Sequence, residues 1–201
     1  MNKYTDVICE EFLENTDISK LDSIFLNLGI TTIYVVRYIS KNYLSKDFIV
    51  PASKKINYKK IYLVNDINDF NKFKKDETDI VMMYGNNLSN ISRILQNERV
   101  DILLNPISDR LSFDEGSANV AKFNKKIIAF DVNLWRKKTY SSLKQAMFII
   151  PLLKKKKVEM MFISLAKKPS DLVDPRILKA LLLEFKLDDD IIERFLEFKI
   201  K

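Results

Sequence analysis

Several cations in this sequence are placed where they could grip a phosphate. Arg136-Lys137-Lys138-Thr139-Tyr140 directly follows Trp135, so rings and cations alternate. Such interleaving suits loop or single-stranded RNA, whose splayed bases stack on rings while cations hold the backbone. The plainer reading is a core tryptophan beside a solvated basic trio. Asp174-Pro175-Arg176 reads as an N-cap, a proline at the first helical position and an arginine just inside. Free N–H groups and a guanidinium at such a point form a phosphate site, unless Arg176 simply pairs with Asp171 or Asp174. Lys167-Lys168 and Arg110 fall on loops after apolar runs, and Arg93 and Arg99 flank a short amphipathic segment. Each is either a contact to a polyanion or a solvated charge. The lysines at 154–157 close a helix, where the macrodipole favours cations, and read as a solvated cap.

Other chemistry is constrained by what is missing. There is no histidine and one cysteine, Cys9. A Ser-His-Asp or Cys-His mechanism is therefore excluded, and a zinc site nearly so. Asp101, Asp131 and Asn133, expected on strands, could bind magnesium, but such residues more often satisfy polar layers inside a barrel. A carboxylate-only metal site or a lysine-based mechanism stays open. The net charge of +7 is uneven: residues 1–50 carry five Lys/Arg against seven Asp/Glu, and each later quarter is net basic. This implies a polyanionic partner met by the later three-quarters, or else a base-composition bias towards lysine. A lone cysteine forms no internal disulfide, so a reducing compartment is expected. The acidic start, with Asp6, Glu10, Glu11 and Glu14, is unlike a signal peptide, and no apolar run reaches the roughly 18 residues of a membrane span. A cytoplasmic chain with no membrane partner is the expectation.

The elements that must position these groups alternate. Apolar, β-branched or aromatic runs at 4–8, 31–39, 61–64, 80–84, 100–104, 126–133 and 159–164 predict strands. Between or after them, helical spacing predicts helices over 18–28, 67–73, 89–96, 117–123, 141–157, 175–186 and 191–198. Asp66, Asp174 and Asp188 are placed as N-caps. Strands apolar on both sides belong to a parallel sheet covered on both faces. With so few glycines and prolines, 201 residues read as one domain without long linkers. Alternation of this kind builds either a doubly wound sheet or a (β/α) barrel, and the pattern alone does not choose. No glycine-rich nucleotide-binding motif is present, and three glycines could hardly build one.

Residues 79–181 resemble a known family. Asp79-Ile80-Val81-Met82-Met83-Tyr84-Gly85, then Leu88, then Val100-Asp101-Ile102-Leu103-Leu104-Asn105-Pro106 is similar to the archaeal ribonuclease P protein component 3 family. This is the TIM-barrel subunit, a relative of the nuclear thirty-kilodalton ribonuclease P protein. Phe113-Asp114-Glu115-Gly116-Ser117-Ala118-Asn119-Val120 resembles a second family segment. Ile163-Ser164-Leu165-Ala166, followed by Asp171-Leu172-Val173-Asp174-Pro175-Arg176, resembles a third, in the same order. The chain departs from the family at Asn119, where a histidine is frequent. It departs again at Val173, where an arginine is usual, and in a two-residue insertion near Leu111-Ser112.

The resemblance implies an α/β, TIM-like (β/α) barrel related to the polymerase-and-histidinol-phosphatase superfamily of metal-dependent phosphoesterases. Those enzymes hold metals with many histidines, which this chain lacks. The implied function is therefore a non-catalytic, RNA-binding subunit of the ribonuclease P endonuclease complex, supporting 5′-end maturation of precursor tRNA. Implied partners are ribonuclease P RNA, a small ferredoxin-like subunit, the other ribonuclease P proteins and, indirectly, precursor tRNA. No cofactor is expected on the chain itself, magnesium being used by the RNA. The expected RNA contacts are Arg93, Arg110, Arg136, Lys137, Lys138, Lys167, Lys168 and Arg176. The alternatives are a metal-dependent phosphoesterase on the same barrel and a basic protein-interaction module with no RNA role.

Overall fold

The computed structural model describes residues 3–40, 48–65, 67–71, 73–85, 88–107, 113–137, 140–198 and 200. Within them seven strands pair in parallel and in chain order. They are β1 (Tyr4–Cys9), β2 (Ile30–Ile39), β3 (Asn57–Val64), β4 (Val81–Tyr84), β5 (Ile102–Leu104), β6 (Ile127–Asp131) and β7 (Glu159–Ile163). The helices are α1 (Glu10–Glu14), α2 (Ile18–Asn27), α3 (Ile67–Phe70), α4 (Leu88–Gln96), α5 (Glu115–Phe123), α6 (Val132–Lys137), α7 (Tyr140–Lys156), α8 (Pro175–Glu184) and α9 (Asp189–Leu196). A 3-10 turn spans Pro169–Asp171. The sheet curls into a nearly closed barrel, the outcome that the strand pattern left open.

Alternation along each strand separates two apolar layers. Val7, Cys9, Tyr34, Val36, Ile61, Leu63, Met82, Leu104, Ala129 and Met161 fill the barrel. Ile8, Val35, Tyr62, Met83, Leu103, Ile128 and Phe130 face the helices. Phe198 and Ile200 pack against the inner layer, and the Ile200 N–H donates to the Tyr34 hydroxyl at 2.9 Å.

Closure is made by one carboxylate and a short bridge. Ile8 pairs with Ala166, and the Cys9 N–H donates to Ala166 O at 2.9 Å. Two residues further in along each strand, the buried Asp6 carboxylate spans the gap. It accepts from the Ser164 N–H at 2.8 Å, the Ser164 hydroxyl at 2.7 Å and the Val7 N–H at 2.7 Å. Burial pushes its pKa up to about 6, against the opposing pull of those three donors.

Helix starts follow their caps. Asp17 accepts from the Ser19 N–H at 3.0 Å, Asp114 from Ser117 at 2.8 Å, and Asp174 from Arg176 at 2.8 Å. The Asp114 cap starts α5 at Glu115, two residues earlier than the apolar spacing predicts. Four further expectations are corrected. The strand expected over 126–133 stops at Asp131, whose Oδ1 accepts from the Asn133 N–H at 2.9 Å and so caps α6. Asn133 therefore lies on a helix, and Asp101 sits just before β5 rather than on it. Asp188 holds the N-cap position of α9 but makes no cap hydrogen bond, pairing instead with Lys154 Nζ at 2.8 Å. The helix expected over 67–73 is only Ile67–Phe70, and the cap assigned to Asp66 lies outside the described residues.

Candidate nucleic-acid interface

Loops that leave the strands form one rim of the barrel, the C-terminal rim. Here Asn105, Asp131 and Asn133 build a polar belt linking β5, β6 and β7. The Asp131 N–H donates to Asn105 Oδ1 at 2.8 Å. Asn133 Nδ2 donates to Ser164 O at 2.5 Å and to Asp171 O at 2.8 Å. Asn133 Oδ1 in turn accepts from Arg136 Nη1 at 3.2 Å, so the belt aims this arginine. Arg136 borders an open cleft of about 530 Å³ between the end of α2 and the 169–174 segment, floored by Ile24, Leu28, Leu172 and Ile177.

Lys167 is engaged: its Nζ meets Glu11 at 3.2 Å and lies over the Tyr38 ring at 5.6 Å. Lys168 beside it is exposed and makes no ion pair among the described residues. Deeper in, Arg37 on β2 is buried and pairs with Glu10 through two hydrogen bonds, with its guanidinium over Phe48. Near the Asp131 carboxylate the mouth is lined by a thiol and phenols. Cys9 Sγ donates to Leu165 O at 3.3 Å and lies 3.7 Å from the Tyr38 hydroxyl. Burial pushes the Cys9 thiol up to about 11 and the Tyr84 phenol up to about 12, the latter helped by the Asp131 charge. The Tyr38 phenol is also raised, mainly by burial.

The other expected contacts scatter. Arg93 is exposed, with no ion pair among the described residues, in the last turn of α4, which runs away from the C-terminal rim. Arg176 is exposed but gripped by Asp174, with Nε to Oδ1 at 3.0 Å and Nη2 to Oδ2 at 2.5 Å. Lys137 ends α6, though its side chain lies outside the described residues, as do Lys138 and Arg110 entirely. Trp135 turns inward, its ring against Phe130, Phe162 and Phe185 at 5.4 to 6.1 Å, so it is not a stacking surface. Arg99 is structural: it donates to Phe73 O and covers the Phe70 ring at 4.5 Å.

Asp101 and Asp131 do not meet. Asp101 precedes β5, accepting from Lys75 Nζ at 2.6 Å and the Val81 N–H at 2.7 Å, whereas Asp131 ends β6 at the far rim. Among the described residues no three His, Cys, Asp or Glu side chains gather as a metal cluster would require. Groups missed by sequence reasoning were Asp6 and the Glu10–Arg37 pair. Their signal was present: a charge flanked by apolar strand residues is a buried charge that needs a partner.

No protein-family model and no curated protein matches the sequence. Solved structures do match. A chain in the structure of archaeal ribonuclease P with mature tRNA superposes with a TM-score of 0.70 at 16% identity, covering 96% of this chain and 87% of that one. In fold, this chain is similar to a chain of archaeal ribonuclease P. The histidinol phosphate phosphatase of Lactococcus lactis, complexed with zinc, L-histidinol and phosphate, gives 0.60 at 9% identity, covering 94% and 95%. A prolidase complexed with N-methylphosphonate-L-proline gives 0.59 at 8% identity, covering 98% and 72%.

The zinc of the phosphatase is a poor fit to the residues present here. The chain has no imidazole, and the mouth offers a thiol and phenols held neutral by burial rather than ionised ligands. No helix among the described residues is long and apolar enough to cross a membrane.

Proposed function

We propose that this chain is a non-catalytic, RNA-binding protein subunit of ribonuclease P, supporting 5′-end maturation of precursor tRNA in the cytoplasm. The observation that carries the reading is the fold correspondence over 96% of the chain with a chain of archaeal ribonuclease P. The three ordered motifs between residues 79 and 181 add to it, as does a barrel mouth with no histidine. In this role the catalytic RNA and its magnesium cleave the phosphodiester. The chain holds no cofactor, works beside a small ferredoxin-like subunit and the other ribonuclease P proteins, and meets precursor tRNA indirectly.

Candidate contacts differ in readiness. Arg136, Lys168 and Arg93 are exposed and meet no carboxylate among the described residues, whereas Lys167 and Arg176 must first leave Glu11 and Asp174. Lys137, Lys138 and Arg110 complete the set on chain position alone. Binding of ribonuclease P RNA, followed from low to high salt, tests the reading. Phosphate contacts predict a linear fall of log K with log salt, by about 0.7 to 0.9 per phosphate. Salt-independent binding, or none, contradicts it. A phosphoesterase on the same barrel predicts hydrolysis of a chromogenic phosphodiester by the metal-loaded chain, and our reading predicts none.

A further inference from the structure

Loops entering the strands form the N-terminal rim, and one arc of it is strongly basic. Lys122 is in the last turn of α5 and Lys125 in the turn before β6, Lys155 is in the last turn of α7 and Lys157 in the turn before β7, and Lys186 lies in the α8–α9 turn. All five are exposed, and none makes an ion pair among the described residues. The three turns adjoin one another. β6 and β7 pair from Ile127 with Glu159 onward, and Lys154 Nζ donates to Lys186 O at 3.1 Å. Many acids of this rim lie elsewhere, at Asp76, Glu77, Asp79 and Glu98 before β4 and β5; beside the arc, Asp188 pairs with Lys154, Glu115 with Lys156 and Asp189 with Lys179, and the five lysines outnumber the exposed Glu159, Glu184 and Asp190.

Two features of the arc are unusual. Lys125, Lys157 and Lys186 hold φ of 52°, 55° and 58°, a region where glycine is favoured and a side chain costs energy. Phe123 is 86% exposed, between Lys122 and Lys125. This is the alternation of ring and cation that the sequence suggests at residues 135–140, where the structure instead turns Trp135 into the core.

We propose that this arc is an RNA-binding surface, with Phe123 stacking on an unpaired base while Lys122, Lys125, Lys155, Lys157 and Lys186 hold the flanking phosphates. The inference rests on the proposed RNA-binding function and adds the surface and the RNA feature recognised: a loop or junction rather than an uninterrupted duplex. Stacking of a base on an aromatic ring tolerates any sequence, so recognition is by shape.

The test uses the full chain, a fluorescein-labelled RNA hairpin with an unpaired loop, an RNA duplex of equal length, and phosphatidylserine vesicles. Phe123→Ala is expected to weaken hairpin binding roughly tenfold, and duplex binding far less; Phe123→Trp is expected to restore it. Lys125→Gly with Lys157→Gly is expected to lower the salt slope by about 1.4 to 1.8 while leaving the melting temperature no lower, which separates lost contacts from lost folding. If these variants bind the hairpin as the unaltered chain does, and Arg136→Ala with Lys168→Ala loses it, the arc is wrong and the RNA-binding function stands. If the variants lose only vesicle binding, the arc is a lipid surface and the inference is overturned. If the unaltered chain binds no RNA at all, the function falls with it.

Discussion

At the C-terminal rim Arg37 meets Glu10, Lys167 meets Glu11, and Asp6, Asp131 and Asn133 tie three strands together through backbone groups. At the N-terminal rim Lys122, Lys125, Lys155, Lys157 and Lys186 are exposed and make no ion pair among the described residues, three of them in a strained backbone conformation. The first rim is the one on which barrel enzymes place their chemistry. Here its polar groups are spent on holding the barrel shut. The second rim carries three lysines at left-handed positions that glycine would fill at lower cost. Arg136 and Lys168 are exposed at the first rim too, but the larger group of lysines without ion pairs among the described residues lies at the second, and this contrast can be broken from either side.

The largest effect is expected at the seam. Asp6→Ala strips the Ser164 and Val7 N–H groups of their buried acceptor. Two unsatisfied donors predict a loss of about 3 to 5 kcal/mol in urea unfolding. A preserved midpoint would show that the bridge at Ala166 closes the barrel alone.

The same carboxyl gives a pH signature. Its folded pKa, about 6, lies above its ordinary 3.8, so its contribution to stability is complete below pH 4 and is lost as pH rises through 6. Asp6→Asn should remove that fall. The difference between variant and parent should grow by up to about 3 kcal/mol from pH 4 to pH 7, and a flat difference curve would place the proton elsewhere.

Next comes Gly85, after β4 at the C-terminal rim. An added methyl would sit 3.0 Å from Leu103 and Ile91 side-chain carbons and 3.1 Å from the Pro106 Cα. Gly85→Ala should cost about 1 to 3 kcal/mol, read by thermal unfolding. At the N-terminal rim the sign reverses: Lys125→Gly relieves a left-handed residue and should stabilise by about 1 kcal/mol. Lys167→Ala closes the series, since exposed pairs such as Lys167–Glu11 are worth about 0.2 to 1 kcal/mol.

Much of this architecture is legible in the sequence because parallel strands buried on both faces appear as unbroken apolar runs. Each of the seven was visible. Where the reading slipped, a side chain had two roles. The polar opening of β3, Asn57-Tyr58-Lys59-Lys60, hides a strand because its two lysines place their ammonium groups over the Tyr34 and Phe48 rings, at 5.6 and 4.9 Å. Val132-Asn133-Leu134 looks like a strand end, yet Asp131 caps it into a helix and thereby turns Trp135 into the core. The candidate interface was less legible. Whether a lysine is paired depends on which acid the fold brings near, and nothing local to Lys167 or Lys157 tells that the first meets Glu11 and the second makes no ion pair among the described residues.

The most direct measurement is precursor-tRNA cleavage by ribonuclease P RNA at limiting magnesium, with and without this chain and its small partner subunit. We expect cleavage at the mature 5′ end to rise when the chain is added to the RNA, and no cleavage by the chain in the absence of RNA. Unchanged cleavage on adding the chain, or hydrolysis by the chain with metal alone, would contradict the account.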